Sequence, residues 1–253
     1  LERREIAPAL RQLRGSYVTS LLKRDNTVWI ATNRGLHAYD VFQGTLRSYR
    51  HSNSPVSLPH DFVTALAQSD SGLLLVGTLR GLGILDESTG SFRNWNTSTA
   101  VRPMPSDFVH CLLSYGHQLW IGTETAGVVK LSPKALIQRN YVHTIGDPYS
   151  LSPHPVNAMY AGGDGTLWVG TVEGGLNYKT ADEHFEHLTT QNSDLSHNSV
   201  SVLTADDAHR LWVGTWGGGL NVVSLDAPRR VSHISMPDDM ASQTNYIGAL
   251  AYD

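Results

Sequence analysis

The chain has 253 residues, of which 40% are hydrophobic and 17% charged, with a formal net charge of −4. Its length admits one or two domains and a sizeable core, and its composition excludes a disordered chain and a coiled coil. Nineteen basic against 23 acidic residues leave no basic footprint for nucleic acid. The single Cys111 excludes an internal disulfide framework and a cysteine-based metal site. No apolar run approaches the roughly 18 residues of a membrane helix, and residues 1–5 carry no apolar signal-peptide core.

One tetrapeptide recurs: Trp29-Ile30-Ala31-Thr32, Leu75-Val76-Gly77-Thr78, Trp120-Ile121-Gly122-Thr123, Trp168-Val169-Gly170-Thr171 and Trp212-Val213-Gly214-Thr215. Its first residues stand at 29, 75, 120, 168 and 212, spacings of 46, 45, 48 and 44. A period of about 40–50 residues with several short strands per period points to propeller blades. The fold class expected is therefore an all-β propeller of four-stranded antiparallel blades.

Residues 9–14 read first as a stray fourth strand, because Ala9-Leu10-Arg11-Gln12-Leu13-Arg14 matches Thr45-Leu46-Arg47-Ser48-Tyr49-Arg50. Complete repeats follow near 17–50, 62–95, 108–143, 155–189 and 199–234. In each, a first strand opens on valine (Val18, Val63, Val109, Val156, Val200) and turns tightly into the tetrapeptide strand. A glycine then leads into the third strand (Gly35, Gly81, Gly127, Gly175, Gly219), and a weaker fourth strand closes the repeat, as at 46–49 and 185–188. Tyr246-Ile247-Gly248-Ala249-Leu250-Ala251 matches a first strand, so 246–252 is read as the start of another blade. The whole of 1–253 is then a partial propeller, five blades and two stray strands. Its open edges should pair with another chain, as in a homodimer, or be covered by further blades.

Within the first strand one column stays small (Ser20, Ala65, Cys111, Ala158, Val202), as tight approach of blades requires. The glycine of the tetrapeptide lets a neighbouring group approach the backbone. Cys111, lying in the small column, reads as packing rather than as a nucleophile.

The most specific elements are Leu167-Trp168-Val169-Gly170-Thr171 with Gly174-Gly175-Leu176-Asn177, the matching residues 211–215 and 218–221, and the lead-in Asn192-Ser193-Asp194-Leu195-Ser196-His197-Asn198-Ser199-Val200. On these the chain resembles the two-component regulator propeller family, the sensor regions of hybrid histidine kinases of gut Bacteroidetes. Leu75 and Ala31 depart from the pattern. The resemblance implies a periplasmic, non-catalytic segment of an inner-membrane protein, whose parent chain adds further blades, a membrane span and kinase domains. It also implies a signal such as an oligosaccharide or another small molecule. A propeller enzyme (a lyase or glycan-active protein) and a protein–protein scaffold are the alternatives, since fold alone does not choose.

Long loops at 50–61, 96–107, 143–154 and 189–198 share a face with the second-to-third turns, and loops on a rigid scaffold carry binding. Those turns present Arg34, Arg80, Glu124, Glu173 and Trp216. Trp216 suits the C–H face of a sugar ring, and the two arginines suit a carboxylate or sulfate. His110 stands in a first-strand column otherwise occupied by Thr19, Thr64, Asn157 and Ser201, where it would line a channel or satisfy a carbonyl. The twelve histidines are scattered without metal-ligand spacing, and no nucleophile elbow or cofactor motif appears, so neither a metal nor a cofactor is expected.

Overall fold

The alternating strand-and-turn pattern of each repeat is realised as one antiparallel sheet. In the computed structural model the residues described are 7–132, 137–153, 155–226, 228–234 and 245–252. Blade 1 comprises β1 (Val18–Arg24), β2 (Thr27–Thr32), β3 (Gly35–Asp40) and β4 (Thr45–Tyr49). Blade 2 comprises β5 (Val63–Gln68), β6 (Leu74–Thr78), β7 (Gly81–Asp86) and β8 (Ser91–Trp95). Blade 3 comprises β9 (Val109–Tyr115), β10 (Gln118–Thr123), β11 (Val128–Leu131) and β12 (Ile137–Tyr141). Blade 4 comprises β13 (Val156–Ala161), β14 (Leu167–Thr171), β15 (Gly175–Lys179) and β16 (Phe185–Leu188). Blade 5 comprises β17 (Val200–Ala205), β18 (Arg210–Thr215), β19 (Leu220–Ser224) and β20 (Val231–Ile234). Strand order within every sheet follows the chain. The chain divides into two compact units, Leu1–His117 and Gln118–Asp253.

The stray strands differ from expectation. Residues 9–14 are not a strand: Pro8–Leu13 forms a 3₁₀ helix with no buried residue. A fourth strand needs a third strand to pair with. With no such strand beside it among the described residues, a Pro-led Ala-Leu-Arg-Gln-Leu stretch satisfies its backbone locally. Residues 246–252 form no strand either, only an isolated bridge between Trp216 and Tyr246.

A register shift recurs at the start of the first strand, between Val18 and Ser20, Val63 and Ala65, Val156 and Ala158, and Val200 and Val202. Such a bulge leaves one residue out of the ladder and re-aims its side chain. That residue is the polar column. Thr19 Oγ1 donates to the Val63 carbonyl at 2.6 Å, Thr64 Oγ1 to Val109 at 2.5 Å, Asn157 Nδ2 to Val200 at 3.1 Å and Ser201 Oγ to Ile247 at 2.6 Å. Each is a latch from one blade onto the valine, or its isoleucine equivalent, that starts the next. In these four blades the polar column residue therefore satisfies a carbonyl of the segment that follows.

The same valine explains the glycine of the tetrapeptide. A Cβ on Gly77 would stand 2.7 Å from Val109 Cγ1, and one on Gly214 would stand 2.6 Å from Ile247 Cγ2. Gly170 meets Val200 in the same way. The small column lies directly opposite in the sheet (Ala65 to Gly77, Ala158 to Gly170, Val202 to Gly214), which is why it stays small. Blade 1, with Ala31 for glycine, still buries that methyl fully in a core cluster with Trp29, Val63, Leu66 and Val76. Burial of this kind contributes about 25 cal/mol per Å² of apolar surface.

The tetrapeptide threonine is a buried turn clamp. Thr32, Thr78, Thr123, Thr171 and Thr215 are fully buried. Each donates Oγ1 to the carbonyl of the glycine opening the third strand, at 2.8–3.1 Å. A buried hydroxyl without that bond would cost about 1–3 kcal/mol.

Candidate ligand-binding site

In blades 1, 2, 4 and 5 the turn into the third strand is bonded to the chain segment that leads into the next first strand. Gly35 N–H donates to the Asp61 carbonyl at 2.6 Å, Gly81 to Asp107 at 2.7 Å, Gly175 to Asn198 at 2.8 Å and Gly219 to Asn245 at 3.0 Å. The loops are rigid for local reasons. In three of the loops an Asx side chain near the loop end accepts from the loop's own start: His51 N–H to Asp61 Oδ1, Thr97 N–H to Asp107 Oδ1, and Thr190 N–H to Asn198 Oδ1. One apolar plug per loop is buried, namely Leu58, Met104, Leu151 and Leu195. The lead-in motif is therefore a plug and a clasp. His154, at the end of the 143–154 loop, lies outside the described residues.

Buried side chains beneath this face tie it down. Asn177 Oδ1 accepts Ser152 N–H and Asn221 Oδ1 accepts Ser196 N–H, each at 3.0 Å. His37 takes the same place in blade 1, between Thr32 Oγ1 at 3.3 Å and Ser48 Oγ at 2.8 Å. Burial, helped by the Arg50 charge, lowers its pKa to about 4, so the ring is neutral at pH 7. Burial likewise lowers the pKa of His187, which lies 2.9 Å from Ser152 Oγ. Both rings work as neutral hydrogen-bonding struts. Among the described residues, no three His, Cys, Asp or Glu side chains gather as a metal site.

The candidate residues fall into two columns, not one. Glu124 and Trp216 directly follow the tetrapeptide threonine, whereas Arg34, Arg80 and Glu173 come one residue later. The first column still extends the sheet: Leu79 N–H donates to Phe62 O, Val172 N–H to Pro155 O and Trp216 N–H to Ser199 O. The second column tips outward, and Arg34, Arg80 and Glu173 are exposed while Glu124 is half-buried. In the first unit, Arg34 and Arg80 occupy equivalent turns of blades 1 and 2. His110 is half-buried, and its ring stacks on Phe108 with centroids 4.2 Å apart.

In the second unit the structure brings Glu173 and Trp216 together. Ser199 Oγ accepts the Glu173 N–H at 3.2 Å, and the Ser199 carbonyl accepts the Trp216 N–H at 2.9 Å. Trp216 is 42% exposed and pairs across an antiparallel bridge with Tyr246, 73% exposed. Residues paired so point to one side with Cβ atoms about 4.5–5.5 Å apart. The His197 ring lies over Gly217, where a Cβ would meet it at 3.2 Å. Glu173 itself has φ 60°, a left-handed conformation that glycine adopts at less cost.

Tyr246 and Ser199 are absent from the sequence-derived set. A signal for Tyr246 existed, because it stands one residue before a first-strand start, as do Phe62 and Phe108. The model of the two component regulator propeller family matches residues 150–173 and 194–217. These two segments are two component regulator propeller repeats. The matched segments span the lead-in loop, first strand and tetrapeptide of blades 4 and 5, so they contain Glu173, Ser199 and Trp216.

Among solved structures, the regulator propeller fold of this chain is similar to the extracellular domain of BT3049, a B. thetaiotaomicron protein assigned as a hybrid two component system. The identity is 22% and the TM-score 0.68, covering 84% of this chain and 29% of that one. The extracellular domain of BT4673, a protein of the same organism assigned as a one component system, gives 23% identity and a TM-score of 0.67, covering 81% of this chain and 27% of that one. A catalytically inactive virginiamycin B lyase from Staphylococcus aureus gives 15% and 0.64, covering 87% and 70%. The chain thus spans under a third of the length of the two B. thetaiotaomicron domains. No curated protein matches it. No helix among the described residues is long and apolar enough to cross a membrane.

Proposed function

We propose that this chain is a non-catalytic segment of the sensor region of a two-component system, lying outside the cytoplasmic membrane and recognising a periplasmic or extracellular ligand such as an oligosaccharide. The regulator propeller repeats and the fold shared with the extracellular domain of BT3049 support the sensor role. The observation that carries ligand recognition is the bridge presenting Trp216 and Tyr246 side by side on the loop face.

Two adjacent exposed aromatics form a platform for the C–H face of a pyranose, and the neighbouring Glu173 carboxylate accepts hydrogen bonds from its hydroxyls. The left-handed Glu173 supports this assignment, since strain of that kind gathers at ligand contacts. Arg34 and Arg80 are proposed to contact an acidic group on a ligand, bidentate where geometry allows.

The test is titration calorimetry with a panel of neutral and acidic oligosaccharides against the wild type and Trp216→Ala. The reading expects saturable binding by at least one sugar and a loss of at least about tenfold in affinity in the variant, about 1.4 kcal/mol. Circular dichroism should be unchanged. Undiminished affinity in Trp216→Ala removes Trp216 from the site, and no binding across the panel removes the oligosaccharide.

A further inference from the structure

In blades 2 and 4 the outer edge, the fourth strand, is covered by the blade's own lead-in loop, and the cover is the same device both times. It is a proline turn, Ser54-Pro55-Val56-Ser57 or Asp147-Pro148-Tyr149-Ser150. The N–H of the closing serine donates to the carbonyl of the first residue, at 3.1 Å and 3.3 Å, and its Oγ donates to the same carbonyl. The carbonyl of the third residue faces the strand: Phe92 N–H donates to Val56 O at 2.7 Å and Phe185 N–H to Tyr149 O at 2.8 Å. Two residues along the strand a polar side chain also reaches the loop. Asn94 Nδ2 donates to Ser57 O at 2.9 Å, and His187 Nδ1 lies 2.9 Å from Ser152 Oγ. In blade 4 the Tyr149 ring also stacks on His184, the residue before Phe185, with centroids 5.0 Å apart.

Blade 5 has the same edge without the cover. The register of β20 on β19 puts Val231 where blades 2 and 4 have Phe92 and Phe185, and His233 where they have Asn94 and His187. The Val231 N–H therefore points outward, and no described residue accepts it. Ser232, His233 and Ile234 are exposed, whereas Asn94, Trp95, His187 and Leu188 are half-buried. The lead-in loop of this blade, 189–198, is shorter than 50–61 or 143–154 and carries no proline. Its Ser196 Oγ accepts from Asn221 Nδ2 at 2.8 Å instead of meeting His233. Arg230 holds the place of His184, exposed, and its guanidinium has no partner among the described residues.

We propose that β20 is a docking edge for a partner protein that presents a proline turn of the form Asp-Pro-aromatic-Ser. The carbonyl of the aromatic residue accepts from the Val231 N–H, its ring stacks on the Arg230 guanidinium, and the His233 ring bonds the residues that leave the turn. The proline and the serine clamp fix such a turn before it binds, so little conformational freedom is lost on docking. Two internal copies of the interface define what the edge accepts, and the unpaired cation at Arg230 selects an aromatic third residue. The chain's own two turns are already engaged on β8 and β16, so a second copy has neither to offer.

The probe is a fluorescein-labelled peptide, Thr-Ile-Gly-Asp-Pro-Tyr-Ser-Leu-Ser, the sequence of residues 144–152, titrated by anisotropy into the 253-residue protein. The proposal expects saturable binding with a Kd below about 1 mM. Val231→Pro removes the outward N–H at a position where an edge strand can spare it, and should weaken binding at least about tenfold. Arg230→Glu leaves the sheet untouched and decides the matter if Val231→Pro fails to fold. It should weaken binding about fivefold, as should alanine in place of the peptide tyrosine. Absence of saturable binding overturns the proposal, and so does equal affinity for Arg230→Glu and the wild type. Self-association of the protein that blocks the peptide also overturns it, by making a second copy the occupant.

Discussion

The first strands of blades 1 and 2 are nearly interchangeable in sequence, Val18-Thr19-Ser20-Leu21-Leu22 against Val63-Thr64-Ala65-Leu66-Ala67. Both bulge after the valine, and both aim the bulged threonine at the next blade. Yet one strand is largely exposed and the other lies in the core. The difference teaches that a first strand is buried by its predecessor and not by its own sheet. Each blade is hydrogen-bonded within itself and packed by its neighbour, as expected of a repeat protein whose stability sums unit and interface terms.

Enlarging a receiving glycine should have the largest effect. Gly77→Val places a side chain where Val109 already lies 2.7 Å from a Cβ, and overpacking of this kind costs about 3 kcal/mol in urea unfolding. Next in size is a pH effect that arises at His37 in blade 1. His37 holds a position that is Gly83 in blade 2 and Asn177 and Asn221 in blades 4 and 5. Its pKa is lowered from 6.5 to about 4 in the folded state. The unfolded chain therefore takes up the proton first, so the contribution is complete above pH 6.5 and is lost as pH falls from 6.5 to 4. The loss is on the order of 2–3 kcal/mol. Unfolding titrations at pH 7 and pH 4.5 should show His37→Asn with a flatter pH dependence than wild type. The smallest effect is the latch itself. Thr64→Val keeps the shape but leaves the Val109 carbonyl without its donor, at about 1 kcal/mol.

The scaffold was legible because a repeat states each requirement five times. The fourth strand expected at 185–188 matches the structure residue for residue. The threonine column keeps one physical role through every blade, and the glycine and small columns keep theirs in blades 2, 4 and 5. What failed was whatever depended on an absent neighbour or on geometry between repeats. Among the described residues, Ala9–Arg14 has a strand's residues but no strand beside it, and Pro8–Leu13 is helical. The polar column, variable in identity across Thr, Asn and Ser, hides a common donor. Trp216 and Glu173 were both among the turn residues named from the sequence. Their link through Ser199 and the pairing with Tyr246 come from backbone bonds that no residue type announces.

The most direct measurement is the matched pair Val18→Ala and Val63→Ala, compared by urea unfolding at pH 7. The two substitutions remove the same atoms from the same position of successive blades. If the preceding blade supplies the burial, Val63→Ala costs about 2 kcal/mol and Val18→Ala less than about 0.5 kcal/mol. Equal losses from the two would contradict it, because the strand would then be stabilised by its own sheet.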